Sequence, residues 1–369
     1  MHKLVPTLTR MALGSAVALL AATPAVANAL PSSSAPSGAA VYVLSNQVAG
    51  NAVIAYRRAS NGTLTPSGSY ATGGNGTGAG LGSQNALVVD DTGQHVYAVN
   101  AGSDTISSFR VDRKGLHLIS TVPSGGDLPV SVSVRGDLLY ALNAGAGNNV
   151  TAFRVLGGRL TRIAGSTRPL SADGVGAAQV SISPDGDSAV VTEKATSLID
   201  VFQLRGDGSA FATTTTPSSG STPFGFAFTP AGSLAVSEAG PSAATTYDVQ
   251  AGELTAISAS VGNNQAAACW VAVTDNGRYA YTGNGGGSQS ISGYRLGRHD
   301  SLSRLDADGR TGTAAAGVSD IALSDGSGFL YARLGNGTVG GYAVRGDGSL
   351  SALSTIGGLP AGAVGIAAH

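Results

Sequence analysis

The stretch VVTEKATSLIDVF (Val190–Phe202) decides the fold, because two close relatives of it occur elsewhere in the same chain. They are VYAVNAGSDTISSF (Val96–Phe109) and LYALNAGAGNNVTAF (Leu139–Phe153). Each copy is an apolar segment, a polar turn and a second apolar segment that ends on phenylalanine. Both relatives carry Asn-Ala where the first stretch carries Glu193-Lys194, so one copy of a repeat departs from the others at its turn.

The repeat extends over the rest of the chain. A first column, mostly tyrosine, recurs every 43 to 55 residues at Tyr42, Tyr97, Tyr140, Val190, Ala235, Tyr281 and Tyr331. A second column, aromatic in every copy, follows 11 to 14 residues later at Tyr56, Phe109, Phe153, Phe202, Tyr247, Tyr294 and Tyr342. Alternating polarity and turns rich in glycine and aspartate predict four short strands in each unit. Seven units of about 48 residues predict an all-β, seven-bladed β-propeller.

The two ends of the repeat region differ in phase. It begins at the second strand of a unit, in AAVYVLSN, and stops after AVGIAAH, which resembles a first strand. We therefore expect the C-terminal strand to be the innermost strand of the blade that Val41–Tyr70 begins. This pairing would close the ring without a free edge.

The N-terminal residues have the pattern of a secretory signal peptide. Lys3 and Arg10 precede an apolar run (Met11–Ala22), and Ala27-Asn28-Ala29 fits a cleavage site. The run is too short to span a bilayer. We predict a signal peptide at 1–29, a linker at 30–40 and the propeller at 41–369, with the protein secreted to the extracellular space or periplasm and no membrane contact after cleavage.

Composition excludes several classes of protein. The net charge is −1 and only 12% of residues are charged, which argues against nucleic acid as a partner. Cys269 is the only cysteine, so an intrachain disulfide is excluded. The sequence has no D-x-D-x-D-G calcium loop and no cofactor motif. We expect a monomer without metal or cofactor, whose partner is a small molecule.

Polar residues follow the second strand of most units, at the end where we expect the channel of a propeller to open. They are Asn100, Asn143, Glu193, Glu238 and Asn284. Asparagine suits loops, because it tolerates left-handed geometry and forms Asx turns. A carboxylate in a funnel is a candidate acid or base, so we predict Glu193 as catalytic and the other four as substrate-binding. Lys194 is expected to be solvated or paired with an acid.

The predicted innermost strands supply further candidates. Gln179 and Trp270 are large side chains in a column of small ones, which indicates a pocket wall, although Trp270 could instead plug the channel. Arg333 replaces smaller residues in its column, and Arg168 lies in a loop that leads into a blade. Either arginine could bind an anionic ligand.

The patterns SPDG (Ser183–Gly186), VVTEKAT (Val190–Thr196), FGFAFTPAG (Phe224–Gly232) and YAYTGN (Tyr279–Asn284) resemble the seven-bladed lactonase-type propellers. That group includes bacterial 6-phosphogluconolactonases and fungal carboxymuconate lactonising enzymes, and it is related to YVTN-type surface repeats. The resemblance implies that His, Glu and Arg act near the channel. Only Glu193 and Arg168 carry over, and Gln179 stands near where many relatives have histidine.

Two hypotheses about function follow. The first is a secreted lactonase-like or lactonising enzyme for a small carboxylated molecule, with Glu193 as general acid or base and Arg168 or Arg333 holding the carboxylate. The second is a non-catalytic binding or surface-interaction propeller. An enzyme needs Glu193 and an arginine beside one shared cavity, whereas a binding protein does not.

Overall fold

The computed structural model describes Met1, His2 and residues 40–369. The predicted linker up to residue 39, and all but two residues of the predicted signal peptide, lie outside the described residues. By internal contacts the chain divides into Met1–Pro31 and Ser32–His369, and the second unit contains all the described strands.

The described residues form thirty strands in seven sheets, one for each predicted unit, so the propeller prediction is confirmed. Blades 1 to 4 are built as follows: blade 1 from β1 (Ala40–Leu44), β2 (Ala52–Arg58), β3 (Leu64–Ala71) and the last strand, β30 (Val364–Ala368); blade 2 from β4 (Leu87–Val89), β5 (His95–Asn100), β6 (Thr105–Asp112) and β7 (Gly115–Pro123); blade 3 from β8 (Pro129–Arg135), β9 (Leu138–Asn143), β10 (Asn149–Leu156), β11 (Arg159–Arg162) and β12 (Arg168–Pro169); blade 4 from β13 (Ala177–Ile182), β14 (Ser188–Glu193), β15 (Leu198–Leu204) and β16 (Ala210–Pro217).

The remaining blades repeat the arrangement. Blades 5 to 7 are built as follows: blade 5 from β17 (Pro223–Phe228), β18 (Leu234–Glu238), β19 (Ala243–Gln250) and β20 (Glu253–Gly262); blade 6 from β21 (Ala268–Val273), β22 (Tyr279–Asn284), β23 (Ser290–Leu296), β24 (Leu302–Arg304) and β25 (Gly312–Thr313); blade 7 from β26 (Val318–Leu323), β27 (Phe329–Leu334), β28 (Thr338–Val344) and β29 (Leu350–Ile356). Short 3-10 turns lie at Arg298–Asp300 and Asp325–Ser327. None of the described helices is long and apolar enough to cross a membrane.

The ring closes as the phase of the repeat predicts. β30 pairs with β1 on the inner side of blade 1, with Tyr42 opposite Ala367. Ala40 and His369 exchange backbone hydrogen bonds of 3.1 and 2.9 Å at the end of this pairing. Because the last strand completes the first blade, no sheet edge is left where the described ends of the propeller meet.

The first aromatic column ties neighbouring blades together. Tyr140, Tyr281 and Tyr331 are fully buried, and each hydroxyl donates to a glycine carbonyl in the next blade. The acceptors are the carbonyls of Gly208, Gly348 and Gly62, at 2.8, 2.8 and 2.7 Å. A buried phenol needs such a partner, so tyrosine in this column both fills the space between blades and satisfies its own hydroxyl.

The strand registers define two faces. At the upper face the second strand of each blade ends opposite the start of the innermost strand, as Glu193 does opposite Ala177. At the lower face a tight turn joins the first strand to the second, as Ser183–Asp187 does in blade 4. The innermost strands β30, β4, β8, β13, β17, β21 and β26 line the central channel between the two faces.

Candidate functional site in the central channel

Glu193 lies at the upper end of β14 and is completely buried. One carboxylate oxygen accepts the backbone N–H of Ser171 at 3.0 Å. The other accepts the Ser171 hydroxyl at 2.5 Å and the Thr196 hydroxyl at 2.6 Å. The carboxylate therefore holds the loop that enters blade 4 against the turn that follows β14.

A second buried carboxyl group, Asp200, adjoins Glu193. Asp200 lies on β15, and the Thr215 hydroxyl donates to its Oδ1 at 2.7 Å, while Oδ2 has no partner among the described residues. Burial, reinforced by the neighbouring Glu193 carboxylate, raises the pKa of Asp200 to about 7. The buried Asp200 carboxyl group therefore holds its proton more readily than an exposed aspartate does.

Glu238 has the same kind of environment in blade 5. It is completely buried, and Oε1 accepts the N–H of Gly220 at 2.8 Å and the Thr245 hydroxyl at 2.6 Å. Oε2 accepts the Ser260 hydroxyl at 2.6 Å. The asparagines at the equivalent strand ends are also completely buried and bind neighbouring side chains of the described chain: Asn100, Asn143 and Asn284.

Arg168 lies at the outer side of blade 3, on the short strand β12. Its guanidinium donates to the carbonyls of Gly165, Thr167 and Ala210 at 2.8 to 2.9 Å. Among the described residues Arg168 forms no ion pair with Glu193 or with any other acid. The structure thus does not bring the two residues predicted as catalytic into contact.

Arg333 pairs in register with Asp320, which the sequence did not single out. Asp320 is almost completely buried and accepts the N–H of Ile321 at 2.9 Å. Burial raises the pKa of Asp320 well above its usual range and lowers the pKa of Arg333. The Arg333 guanidinium donates to the hydroxyl of Ser319. The signal for Asp320 was its position, because it is equivalent to Gln179 and Trp270 in the register of the innermost strands.

A segment that the repeat does not predict fills the upper part of the channel. We call residues 81–85 the plug; they belong to the long connection between blades 1 and 2. The Ser83 hydroxyl donates to the Val130 carbonyl at 2.8 Å, and the N–H of Gln84 donates to the Ala178 carbonyl at 3.1 Å. The Asn85 carbonyl accepts the N–H of Val132 at 2.8 Å. The plug is therefore bonded to blades 3 and 4 at once.

Two glutamine side chains complete the bonding at this level. The Gln84 amide donates to the Val271 carbonyl at 2.7 Å and accepts the Val271 N–H at 2.9 Å. Gln179 does the same with Phe226, at 2.8 Å in both directions. Each carboxamide thus pairs with the N–H and the C=O of one innermost-strand residue, as a neighbouring strand would.

Trp270 and Lys194 hold the plug from above. The Trp270 indole N–H donates to the Ser83 carbonyl at 3.0 Å. The Lys194 ammonium donates to the Gly82 carbonyl and lies 4.9 Å from the centre of the Phe224 ring, and burial lowers its pKa. The expectation that Lys194 is solvated or paired with an acid is wrong, because a backbone carbonyl 112 residues away in sequence is its partner.

Below the plug the channel forms a cavity of about 410 Å³ that we call the lower channel. Gln84, Asn85 and Gln179 line its closed end. At its open end on the lower face, Arg135 ends β8, and Asp91 and Asp275 lie in turns. One apolar residue from each blade forms a collar between them: Val89, Val134, Ile182, Phe228, Val273, Leu323 and Ala368. Charged lining groups are confined to the open end.

The lower channel has room for a small molecule, but neither Glu193 nor an arginine faces its closed end. Gln179, predicted as a pocket wall, does line the cavity. Trp270 bonds to the plug instead. Among residues 40–369 no cluster of three potential metal ligands is present. The lower channel can therefore bind a small molecule through its amide groups and its apolar surface.

Comparison with known proteins identifies the family. The family model described as "Lactonase, 7-bladed beta-propeller" matches residues 33–168 and 148–267, which together span more than half of the chain. No curated protein matches significantly.

Similar solved structures include a protein from Lactobacillus plantarum, with a TM-score of 0.74 at 18% identity, covering 90% of this chain and 100% of that one. A protein from Bacteroides uniformis that has been proposed to be a 6-phosphogluconolactonase has a TM-score of 0.71 at 18% identity (88% and 98% coverage). The periplasmic gluconolactonase PpgL of Pseudomonas aeruginosa has a TM-score of 0.71 at 16% identity (88% and 98% coverage). These structures support the fold, and the match to the family model shows that the chain belongs to the lactonase family of seven-bladed β-propellers.

Proposed function

We propose that this protein is a non-catalytic binding member of the lactonase family, which receives a small molecule in the lower channel. The observation that supports this function most is the bonding of Glu193. Among the described residues the Glu193 carboxylate accepts hydrogen bonds only from Ser171 and Thr196, which shape blade 4, and the side chain is completely buried.

The chemistry of lactone opening or closure explains why this observation matters. A general acid or base must reach within hydrogen-bond distance of the proton that it transfers, directly or through one water molecule. Glu193 and Glu238 are sealed behind hydroxyl and N–H donors, and Arg168 is bonded to carbonyls in the outer part of blades 3 and 4. The plug and Trp270 occupy the upper channel, where the catalytic hypothesis needs a substrate.

We also propose that the protein is exported across the cytoplasmic membrane. Export is supported by the N-terminal pattern of basic, apolar and small residues, and by the periplasmic description of the Pseudomonas aeruginosa relative. We also propose that the protein acts as a monomer without nucleic acid or membrane as a partner, since its charge is low and the C-terminal strand closes the ring.

The test is a turnover assay on the purified protein with a panel of lactones and carboxymuconates. We expect no turnover by the wild type, by Glu193→Gln or by Glu253→Gln, a matched change at an exposed glutamate. The binding function would be overturned if the wild type and Glu253→Gln turned over a substrate and Glu193→Gln did not. That result would instead support the lactonase-like enzyme with Glu193 and Arg168, which stays a prediction.

A further inference from the structure

We propose, on the basis of the binding function above, that the lower channel recognises a small neutral molecule through a primary carboxamide. The carboxamide pairs with the backbone N–H and C=O of Val273 on β21, and the apolar body of the molecule packs on the collar beside Phe228 of the adjacent blade.

The protein itself displays this mode of recognition twice. The carboxamides of Gln84 and Gln179 both enter the channel, and both pair in two directions with a single innermost-strand residue, Val271 and Phe226 respectively. The four distances lie between 2.7 and 2.9 Å. An innermost-strand residue that faces the channel is therefore a ready partner for one carboxamide group.

Val273 is the next such residue on β21. Alternate residues of a strand direct their backbone groups to the same side, so Val271 and Val273 both direct theirs into the channel. The register runs without a bulge from Val271 opposite Thr282 to Val273 opposite Ala280. The following residue, Thr274, donates its N–H at 2.9 Å to Tyr279 on the side of the second strand, as this alternation requires.

The surroundings favour a neutral ligand. The apolar collar lies at the depth of Val273, whereas the charged groups of Asp91, Arg135 and Asp275 lie at the open end. A guanidinium nitrogen of Arg135 lies 4.0 Å from a carboxylate oxygen of Asp91, so the positive charge at the open end already has a counter-ion. A charged group placed at the collar would lose hydration without gaining a partner, while a carboxamide would satisfy both of its own groups. The volume of about 410 Å³ is in the range of small-molecule sites.

The experiment titrates isotopically labelled protein with benzamide, methyl benzoate and benzoate, and follows backbone amide resonances by NMR. These probes share the aromatic ring, but only benzamide both donates and accepts. We expect benzamide to shift the resonances of Val273 and Phe228 and to bind at least tenfold more tightly than either analogue. Val273→Pro removes the N–H that faces the channel and should weaken benzamide binding tenfold.

Gln84→Ala provides a second measurement that does not depend on the folding of the proline variant. It exposes the N–H and C=O of Val271, so benzamide should shift the Val271 resonance and raise the Tm of this variant more than that of the wild type. Equal binding of benzamide and methyl benzoate, shifts only outside the channel, or no binding up to the solubility limit would each overturn the proposed ligand class. Lactone turnover that depends on Glu193 would overturn the binding function separately, whatever benzamide does.

Discussion

Replacing Asp200 with asparagine should stabilise the protein at alkaline pH. Asp200 is buried, its Oδ2 has no partner among the described residues, and it adjoins the Glu193 carboxylate. In Asp200→Asn the Oδ1 atom can still accept from the Thr215 hydroxyl, and the new amide N–H can donate towards Glu193. The variant therefore replaces a repulsive contact by a hydrogen bond without a change of volume.

The magnitude follows from the raised pKa of Asp200. The folded state holds the proton with a pKa of about 7 against the ordinary 3.8, so between these values the folded state binds more protons than the unfolded state. The free energy of unfolding of the wild type must then fall as pH rises through this window, by at most about 4 kcal/mol at 1.36 kcal/mol per unit. Asp200→Asn removes this loss, so its advantage should be small at pH 4.5 and reach a few kcal/mol at pH 8.

The assay is urea denaturation of both proteins at pH 4.5, 6 and 8. Asp185→Asn is a suitable control, because hydrogen bonds from Ser183 and Asp187 lower the pKa of Asp185, and its effect should not change over this range. A variant Asp200→Asn that is less stable than the wild type at pH 8, or an advantage that does not grow with pH, would refute the reasoning about the carboxyl pair.

Three further predictions concern single contacts. Glu238→Ala should lower the free energy of unfolding, measured by urea denaturation, by about 3–5 kcal/mol, because it leaves the donors of Gly220, Thr245 and Ser260 unpaired. A loss below 1 kcal/mol would contradict the structural role of the Glu238 carboxylate. Lys194→Met should keep the contact with the Phe224 ring but lose the hydrogen bond to the Gly82 carbonyl of the plug. Amide hydrogen exchange of the plug should then accelerate, while that of blade 2 should not. Unchanged exchange in the plug would contradict the hydrogen bond from Lys194. Tyr140→Phe should lower the free energy of unfolding, measured by heat or urea, by about 1–2 kcal/mol, since the Gly208 carbonyl in the next blade loses its donor. An unchanged free energy of unfolding would contradict a stabilising role for this hydrogen bond between blades.

The sequence was sufficient for the architecture because the repeat is a property of each blade. Each blade contributes one residue to each of the two columns and makes its own turns. The period of the repeat, its alternating polarity and its turn residues therefore predict the four strands of each blade. The closure by β30 was predictable for the same reason, since the phase of the first and last units leaves one blade incomplete.

The environment of the candidate site could not be predicted in the same way. The repeat locates Glu193 at a strand end, but its bonding depends on Ser171, 22 residues away, in a connection that no repeat describes. The plug lies in the longest gap of the first column, and its contacts reach Val271, 187 residues away from Gln84. The only signal in the sequence was that the gap between Tyr42 and Tyr97 is longer than any other.

The proposed binding function rests most on the burial of Glu193 at the upper end of β14, and carbodiimide labelling with mass spectrometry measures that burial directly. A water-soluble carbodiimide with an amine nucleophile should modify the exposed Asp91 and Asp275 at the lower rim of the folded protein. We expect Glu193 and Glu238 to stay unmodified until the protein is unfolded. Modification of Glu193 at the rate of Asp275 would show that the carboxylate is open to solutes, and would contradict the structural role on which the binding function rests.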